Sequence, residues 1–356
     1  MSYINSKQKI FSHVDRLNEI RTTGNTVAPV NVEIDLSNRC SHGCAWCHFA
    51  YTHTRGPLAG KRSKPEDAIA GGDLMDLDLA HEILMHLSAS GVRSVTWTGG
   101  GEPTLHPNFE EIIETATHWG LEQGLYTHGG HISAERAALL KRLLTFVYVS
   151  LDECTPEAFK ASKGVNRFDA VLAGIRNLVG AQGGATIGIG FLLHVGNVDD
   201  VDDMVALGQS LGVDYVQFRP IIAYDQVAPG QLVEDTQWVN RAINNLRKYA
   251  GNTFVQADTW RFEMYRDWRG HNYPTCHWAA LQTVITPNGK VWRCTNKREH
   301  PEALLGDLTI TNFADIWQRV GGSCAVDDKC RVMCRGHIAN LTLDSIMTEP
   351  VHVNFI

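Results

Sequence analysis

Cys40, Cys44 and Cys47 stand in a C-x3-C-x2-C pattern inside the stretch IDLSNRCSHGCAWCHFAY, from Ile34 to Tyr51. The stretch opens as an apolar, strand-like run, so three thiolates converge in one tight loop directly behind a strand. Zinc or a cubane iron–sulfur cluster normally takes four protein ligands. Three close cysteines therefore point to a cluster with one iron left open, where a substrate or cofactor can bind. The plainer alternative is a zinc site completed by His42 or His48. Zinc loops usually pair two C-x2–4-C or H-x3–5-H units, and no second unit lies close by.

More residues of chemical capacity follow at regular intervals. Thr98-Gly99-Gly100-Gly101-Glu102-Pro103 is a glycine-rich turn whose backbone can approach a ligand closely, and Glu102 can hold a cation. Alone, such a turn serves equally as a phosphate loop or a plain connection. Thr127 in Tyr126-Thr127-His128-Gly129, Ser150 and Asp152 in Ser150-Leu151-Asp152, and Arg219 in Gln217-Phe218-Arg219-Pro220 each close an apolar run. Lys163 precedes Gly164 and a helical segment. Each could be an ordinary polar residue, but at successive strand ends they outline one pocket. Further on, Cys276 and Cys294 bracket CHWAALQTVITPNGKVWRC, and Cys324, Cys330 and Cys334 are spaced C-x5-C-x3-C.

The elements that must position these residues alternate. Strand-like runs at Val30–Leu36, Val92–Trp97, Gly124–Thr127, Phe146–Leu151, Thr186–Leu193 and Tyr215–Arg219 are separated by helical periodicity at Leu74–Ser90, Phe109–Trp119, Ser133–Leu144, Phe168–Val179 and Val198–Leu211, with a last helix at Thr236–Tyr249. Strands alternating with amphipathic helices give right-handed crossovers and a parallel sheet. The fold class is α/β, a partial (β/α)6 barrel with chemistry at the C-terminal ends of its strands. A doubly wound open sheet is the alternative. Lys7–Arg21 reads as an amphipathic lead-in helix, and Thr283–Ile285 with Lys290–Arg293 as a hairpin around Pro-Asn-Gly. The domain reading is a lead-in over 1–29, a barrel over 30–250, a linker over 251–275, a small cysteine-dependent domain over 276–340 and a tail over 341–356. Short apolar elements in that small domain need a metal or cluster to staple them. The long irregular segment His53–Gly72 reads as a lid whose Arg55, Lys61, Arg62 and Lys64 hold an anion, or as a solvated loop. Trp260, Trp268, Trp278 and Trp292 read as core.

Composition narrows the class. Of 356 residues, 44% are hydrophobic and 20% charged, as in ordinary globular proteins. A net charge of −7 argues against broad nucleic-acid or anionic-membrane binding. The N-terminus has no apolar signal region and the longest apolar run is too short to span a bilayer, so a cytoplasmic location is expected, with nine cysteines kept reduced as ligands.

The Cys-x3-Cys-x-Trp-Cys loop, the Gly100-Gly101-Glu102 turn and the Ser150-Leu151-Asp152 strand end together resemble radical S-adenosylmethionine (SAM) enzymes, over about residues 30–340. The resemblance implies a [4Fe–4S] cluster on Cys40, Cys44 and Cys47, with SAM chelated at the open iron. It implies Gly100, Gly101 and Glu102 at the methionine amine, Trp46 beside the adenine, Lys163 on the SAM carboxylate, and Thr127, Ser150, Asp152 and Arg219 along the SAM or substrate pocket. His128 stands where relatives often carry Asn. Reductive cleavage of SAM then yields a 5′-deoxyadenosyl radical that abstracts hydrogen. Cys154 is either a hydrogen donor to the substrate radical or, as favoured, a small strand-end side chain. The C-terminal cysteines are similar to SPASM and twitch domains, which bind auxiliary clusters. Cys276, Gly289 and Cys294 match the opening of that pattern, and Cys324, Cys330 and Cys334 its last cysteines. Gly321 replaces one cysteine of the block, which leaves one auxiliary cluster, held by Cys276, Cys294, Cys334 and either Cys330 or Cys324. A structural zinc is the alternative there. The lead-in has no room for a peptide-binding module, so a small polar substrate, sugar- or nucleoside-like, is expected. A peptide maturase with a separate recognition partner comes second, and a non-enzymatic zinc- or cluster-binding interaction protein third. A flavodoxin or ferredoxin is the expected electron donor.

Overall fold

The computed structural model describes residues 6–61, 67–221, 237–257, 259–267, 270–327, 330 and 334–348. Arg62, Lys64 and Trp268, named above, lie outside them. The strands are β1 (Asn31–Asp35), β2 (Ser94–Thr98), β3 (Glu122–Thr127), β4 (Phe146–Ser150), β5 (Thr186–Leu193), β6 (Tyr215–Pro220) and β7 (Val255–Ala257), then β8 (Thr275–Cys276), β9 (Gln282–Ile285), β10 (Lys290–Trp292), β11 (Leu304–Asp307) and β12 (Cys324–Ala325). The helices are α1 (Ser6–Ile10), α2 (Val14–Thr23), α3 (Leu77–Ala89), α4 (Phe109–His118), α5 (Ala134–Leu143), α6 (Pro156–Lys163), α7 (Phe168–Gly180), α8 (Val201–Leu211), α9 (Gln237–Arg247), α10 (Thr259–Asp267), α11 (Phe313–Val320) and α12 (His337–Met347).

Strand order decides between the two α/β architectures. The sheet runs β11-β10-β9-β1-β2-β3-β4-β5-β6-β7, with β1 to β7 parallel and in sequence order. A doubly wound sheet reverses its order at a switch point, and none occurs here. Single-direction winding with β1 and β7 not paired to each other is an open, partial barrel. Its strands read as continuous apolar runs because both faces are covered. Val32, Ile34, Val95, Trp97, Val147, Ile189 and Phe218 are buried against Ile83, Ile112, Leu140, Ile175 and Met204 of the surrounding helices. Each such side chain contributes about 1.5–3 kcal/mol.

The lead-in helix is split into α1 and α2, helices α10 to α12 have no counterpart in the sequence reading, and three further departures bear on the site. The seventh parallel strand, β7, is too short to show periodicity. Helix α6 is also additional: Thr155 caps it by accepting from Ala158 N, Pro156 follows, and Gly164 ends it in the left-handed region at φ 68°. The third departure concerns the C-terminal segment, read as a separate small domain. Its strand β9 pairs in parallel with β1, Asn31 opposite Gln282 through Ile34 opposite Ile285, and β10 and β11 extend the same sheet antiparallel. The hairpin is thus part of the barrel wall. Helices α1 and α2 close over it, where Ile10, Leu17 and Ile20 pack with Ala280, Leu281, Ala339 and Leu343.

Candidate functional site

The cysteine loop leaves the C-terminal end of β1 and is stitched down on three sides. A helix C-terminus leaves carbonyls without intrahelical partners. At the end of α6 two of them are taken by the loop: Gly43 N donates to Lys163 O (2.7 Å) and Ala45 N to Ser162 O (2.8 Å). The glycine-rich turn after β2 forms the second attachment, with Gly101 N donating to Ser37 O (3.0 Å) and Glu102 N to Arg39 O (2.8 Å). A Cβ on Gly100 would run into Asn38 Oδ1 and Thr52 Oγ1, so glycine is needed there for close approach. The third attachment is the segment read as a lid. Cys40 N donates to Arg55 O (3.1 Å), Thr54 N to Asn38 O (3.0 Å) and Gly71 N to Glu299 Oε1 (2.8 Å). That segment straps the loop to the hairpin, and its Arg55 and Lys61 are exposed to solvent.

Cys44 and Cys47 open into a cavity of about 380 Å³ at the barrel mouth. Trp46, Ser150, Asp152, Lys163 and Arg219 line it, gathered from the ends of successive strands. Lys163 is buried, ion-paired with Asp152, and its Nζ lies 5.6 Å from the Trp46 ring centroid. Burial alone would lower the Lys163 pKa, but Asp152 and Cys44 outweigh it and raise it. Asp152 sits at φ 64° and also accepts from Leu192 N (2.9 Å). A non-glycine residue in that region is uncommon and costs backbone strain of order 1–3 kcal/mol, here beside the cavity.

Glu102 and Thr127 lie behind this wall. The buried Glu102 carboxylate accepts from Thr104 Oγ1 (2.6 Å), Thr127 Oγ1 (2.6 Å) and His128 N (2.9 Å). His128 Nδ1 accepts from Gly130 N (3.0 Å), which leaves the proton on Nε2, 3.0 Å from Ser41 Oγ. Its ring stacks on His42 at 3.9 Å. Burial, then His131 and Arg167, hold the His128 pKa well below its usual range, so the neutral ring is the working form. The position that departs from the family pattern therefore braces the cysteine loop against β3.

Cys154 is not brought to the cavity. It packs against the barrel core with its thiol 3.9 Å from Asp200 O, and burial, followed by Asp200 and Asp203, pushes its pKa to about 12.

The five C-terminal cysteines, Cys276, Cys294, Cys324, Cys330 and Cys334, line one cavity of about 180 Å³. Strand β12 pairs Cys324 with Cys276 across β8. The two thiols titrate as a pair, Cys276 above and Cys324 below the ordinary thiol range, the lowering of Cys324 coming first from Cys276 and then from Arg293 and Lys297. Burial first, then Cys294, pushes Cys334 up to about 12. Thr295, Asn296, Cys334 and Arg335 line this cavity and the barrel-mouth cavity alike.

One part of the site escaped the sequence reading. Glu33 and Asp35 on β1 are buried, and the connection between β10 and β11 answers them with Arg298. Its Nη2 is 3.0 Å from Glu33 Oε2 and its Nε 2.7 Å from Asp35 Oδ2. Arg335 pairs with Glu33 as well. The Arg298 guanidinium lies 4.3 Å from the Phe49 ring centroid, two residues beyond Cys47. Two acids at alternate positions in a buried strand are a signal for buried cations, although not for which ones. Trp292 is fully buried and Trp278 partly so, whereas Trp260 belongs to the cavity wall with Arg261 and Met264.

The donor sets fit iron–sulfur clusters. Cys44 and Cys47 line one cavity beside Lys163, and the five C-terminal cysteines line the other beside Arg293, Lys297 and Arg335. Burial and neighbouring thiols push the Cys40 pKa up, so the thiolates need the positive charge that iron supplies. A three-cysteine loop at the mouth of a partial parallel barrel, backed by a second thiol cavity, defines an iron–sulfur enzyme. Residues 34–208 match the model of the Radical SAM superfamily, and the chain belongs to that superfamily. It accordingly uses a [4Fe–4S] cluster and SAM.

Among curated relatives, a PqqA peptide cyclase from Streptomyces rochei is 26% identical over 349 residues, covering 91% of this chain and 89% of that protein. A probable GTP 3′,8-cyclase from Metallosphaera sedula is 28% identical over 195 residues, covering 54% and 56%. Streptococcus suis SuiB bound to S-adenosylmethionine superposes with a TM-score of 0.65 at 14% identity, over 93% of this chain and 72% of that one. The same protein has been solved with its precursor peptide SuiA. Among the described residues no helix is long and apolar enough to cross a membrane.

Proposed function

We propose that this enzyme modifies a peptide. The observation that carries the reading is the reach of the likeness. The likeness to the nucleotide cyclase covers 54% of the chain, whereas that to the peptide cyclase covers 91%. It therefore extends well past the radical SAM segment, toward the C-terminal cysteines. The sugar- or nucleoside-like substrate expected from the sequence finds support only over the part that all radical SAM enzymes have in common.

On this reading Cys40, Cys44 and Cys47 hold the first cluster, and four of Cys276, Cys294, Cys324, Cys330 and Cys334 hold an auxiliary one. With SAM bound, the first cluster supplies a 5′-deoxyadenosyl radical for hydrogen abstraction. The chain's own residues orient and seal. Trp46 forms a flat wall beside the Asp152–Lys163 pair, whose cation suits the SAM carboxylate. Glu102, Thr127 and His128 set the height of the loop above β3, with Gly100 and Gly101 allowing the close approach. Trp260, Met264 and Phe49 exclude water from the cavity.

The test is direct. Protein reconstituted anaerobically should hold about eight irons for two cubanes. With dithionite and SAM it should release 5′-deoxyadenosine, and Cys44→Ala should abolish that release. Short peptides encoded beside its gene, incubated with the enzyme and read by mass spectrometry, should include one whose mass changes only when SAM is present. Turnover of a nucleoside or sugar with every peptide left intact would reverse the assignment.

A further inference from the structure

A second cavity, of about 560 Å³, lies inside the barrel beneath the first. It runs from Phe49 and Arg219 at the mouth to Thr145, Thr186 and Tyr215, where strands β4 to β6 begin. Its described walls carry Lys9, Arg219, Arg261 and Arg335 and no Asp or Glu. The chain as a whole has a net charge of −7, so this interior is opposite in sign to the molecule around it. Walls of one sign and low dielectric focus the field on a ligand of the other sign.

Two of the cations around the two cavities have a traced acid partner. Arg335 pairs with Glu33, and Lys163 with Asp152. Arg219, which lines both cavities, makes no ion pair with any described residue. Its guanidinium lies over the Tyr148 ring at 5.0 Å from the centroid, and its Nε is buried without a hydrogen-bond partner among the described residues. Gly190 on β5 makes room for that ring, since a Cβ there would strike Tyr148. Arg219 is part-buried and feels Asp152 without a direct ion pair, so a ligand carboxylate in the cavity would give its guanidinium the direct acid partner it lacks among the described residues. The planar fork of arginine matches a carboxylate through two parallel hydrogen bonds.

We infer that Arg219 receives a carboxylate of the substrate where the two cavities join, so that the enzyme acts on an acidic peptide segment. The word peptide rests on the proposed function above; the carboxylate does not. The sequence reading placed Arg219 along the SAM or substrate pocket without separating the two. SAM, however, must lie against the cysteine loop, where Lys163 stands beside Cys44. The cavity on the other side of Arg219 has no cysteine on its described walls. The carboxylate comes either from an Asp or Glu side chain or from the peptide's C-terminus.

Calorimetry on the SAM-saturated holoenzyme tests this with four probes. They are acetyl-Gly-Ala-Glu-Ala-Gly-amide, its Gln counterpart as amide, that Gln peptide with a free C-terminal acid, and glutarate. At least one acidic peptide should bind about tenfold tighter than the neutral one, and the acid that does so identifies the source. Arg219→Gln should abolish the preference, Arg219→Lys should keep part of it, and SAM affinity should stay within about twofold in both. An Arg219-dependent preference for glutarate alone would keep the carboxylate site and reject the peptide. No Arg219-dependent preference for any probe overturns the inference. So does a variant that loses SAM affinity by about tenfold. Unchanged iron content shows that the variants are folded, and Arg219→Lys carries the test if Arg219→Gln is not.

Discussion

Arg298→Gln asks whether the β10–β11 connection and strand β1, which leads into the cysteine loop, form one electrostatic unit. The guanidinium is buried, with Asp35 at 2.7 Å and Glu33 at 3.0 Å. At an effective dielectric constant of about 20 each contact is worth about 5–6 kcal/mol before desolvation. Burying the ion costs several kcal/mol in return, and removing one partner of such a network costs about 3–5 kcal/mol net. Glu33 keeps Arg335 in the variant, while Asp35 is left without an ion-pair partner among the described residues. Burial, with Glu33 adding to it, already raises the Asp35 pKa to about 6 against the pull of Arg298. The folded protein thus holds this proton more tightly than the unfolded chain, whose carboxyl titrates near 3.8. Stability from this group therefore falls as pH rises between those values. Without Arg298 the folded pKa climbs further and the fall continues to higher pH. The variant's deficit should reach about 3–5 kcal/mol at pH 8 and be smaller by about 1–2 kcal/mol at pH 5, where Asp35 is mostly protonated in both. Anaerobic urea unfolding of reconstituted protein, followed by circular dichroism, measures it. Adding Asp35→Asn to Arg298→Gln should recover most of the loss at pH 8. A deficit independent of pH, or no recovery in the double variant, refutes the reasoning.

Cys294→Ala should lower the iron content by up to about four atoms while the spectrum of the first cluster and 5′-deoxyadenosine release persist; unchanged iron removes Cys294 from the auxiliary ligands. Cys154→Ala should leave product formation and its stereochemistry unchanged, because the thiol faces Asp200 O and not the cavity; a product trapped at the radical stage would restore it as a hydrogen donor. Gly100→Ala forces a methyl against Asn38 and Thr52 and should cost about 1–3 kcal/mol in stability, with weaker SAM binding measured by calorimetry.

What the sequence conveyed was local. Strands β1 to β6 and their helices were legible because their apolar runs and amphipathic periods are complete within each segment. The strand-end residues Ser150, Asp152 and Arg219 followed, since the barrel gathers those ends on one wall. Helix α6 had its signals in Thr155-Pro156 and Gly164, but its eight residues are overshadowed by the longer helix after it. What stayed illegible depends on distance along the chain. The Arg298–Glu33 contact joins residues 265 apart, and nothing in the composition near Glu33 says that its cation arrives from the connection between β10 and β11. Glu102 was assigned to a ligand by motif, and it is the fold that turns its carboxylate toward Thr104, Thr127 and His128.

The C-terminal segment also shows why a cysteine-rich end need not be a detachable module. Without β9, strand β1 would become a sheet edge with exposed backbone donors and acceptors. Glu33 and Asp35 would at the same time lose Arg298 and Arg335, leaving two uncompensated carboxylates in the barrel. The barrel is therefore completed by the segment that carries the second set of thiols. That dependence has a chemical consequence. Because Thr295, Asn296, Cys334 and Arg335 belong to both cavities, the β1–β9 register that closes the sheet also fixes where the second thiol set stands relative to the first. Folding and the spacing of the two sets are one constraint, met by the same four residue pairs of β1 and β9, from Asn31 to Ile34.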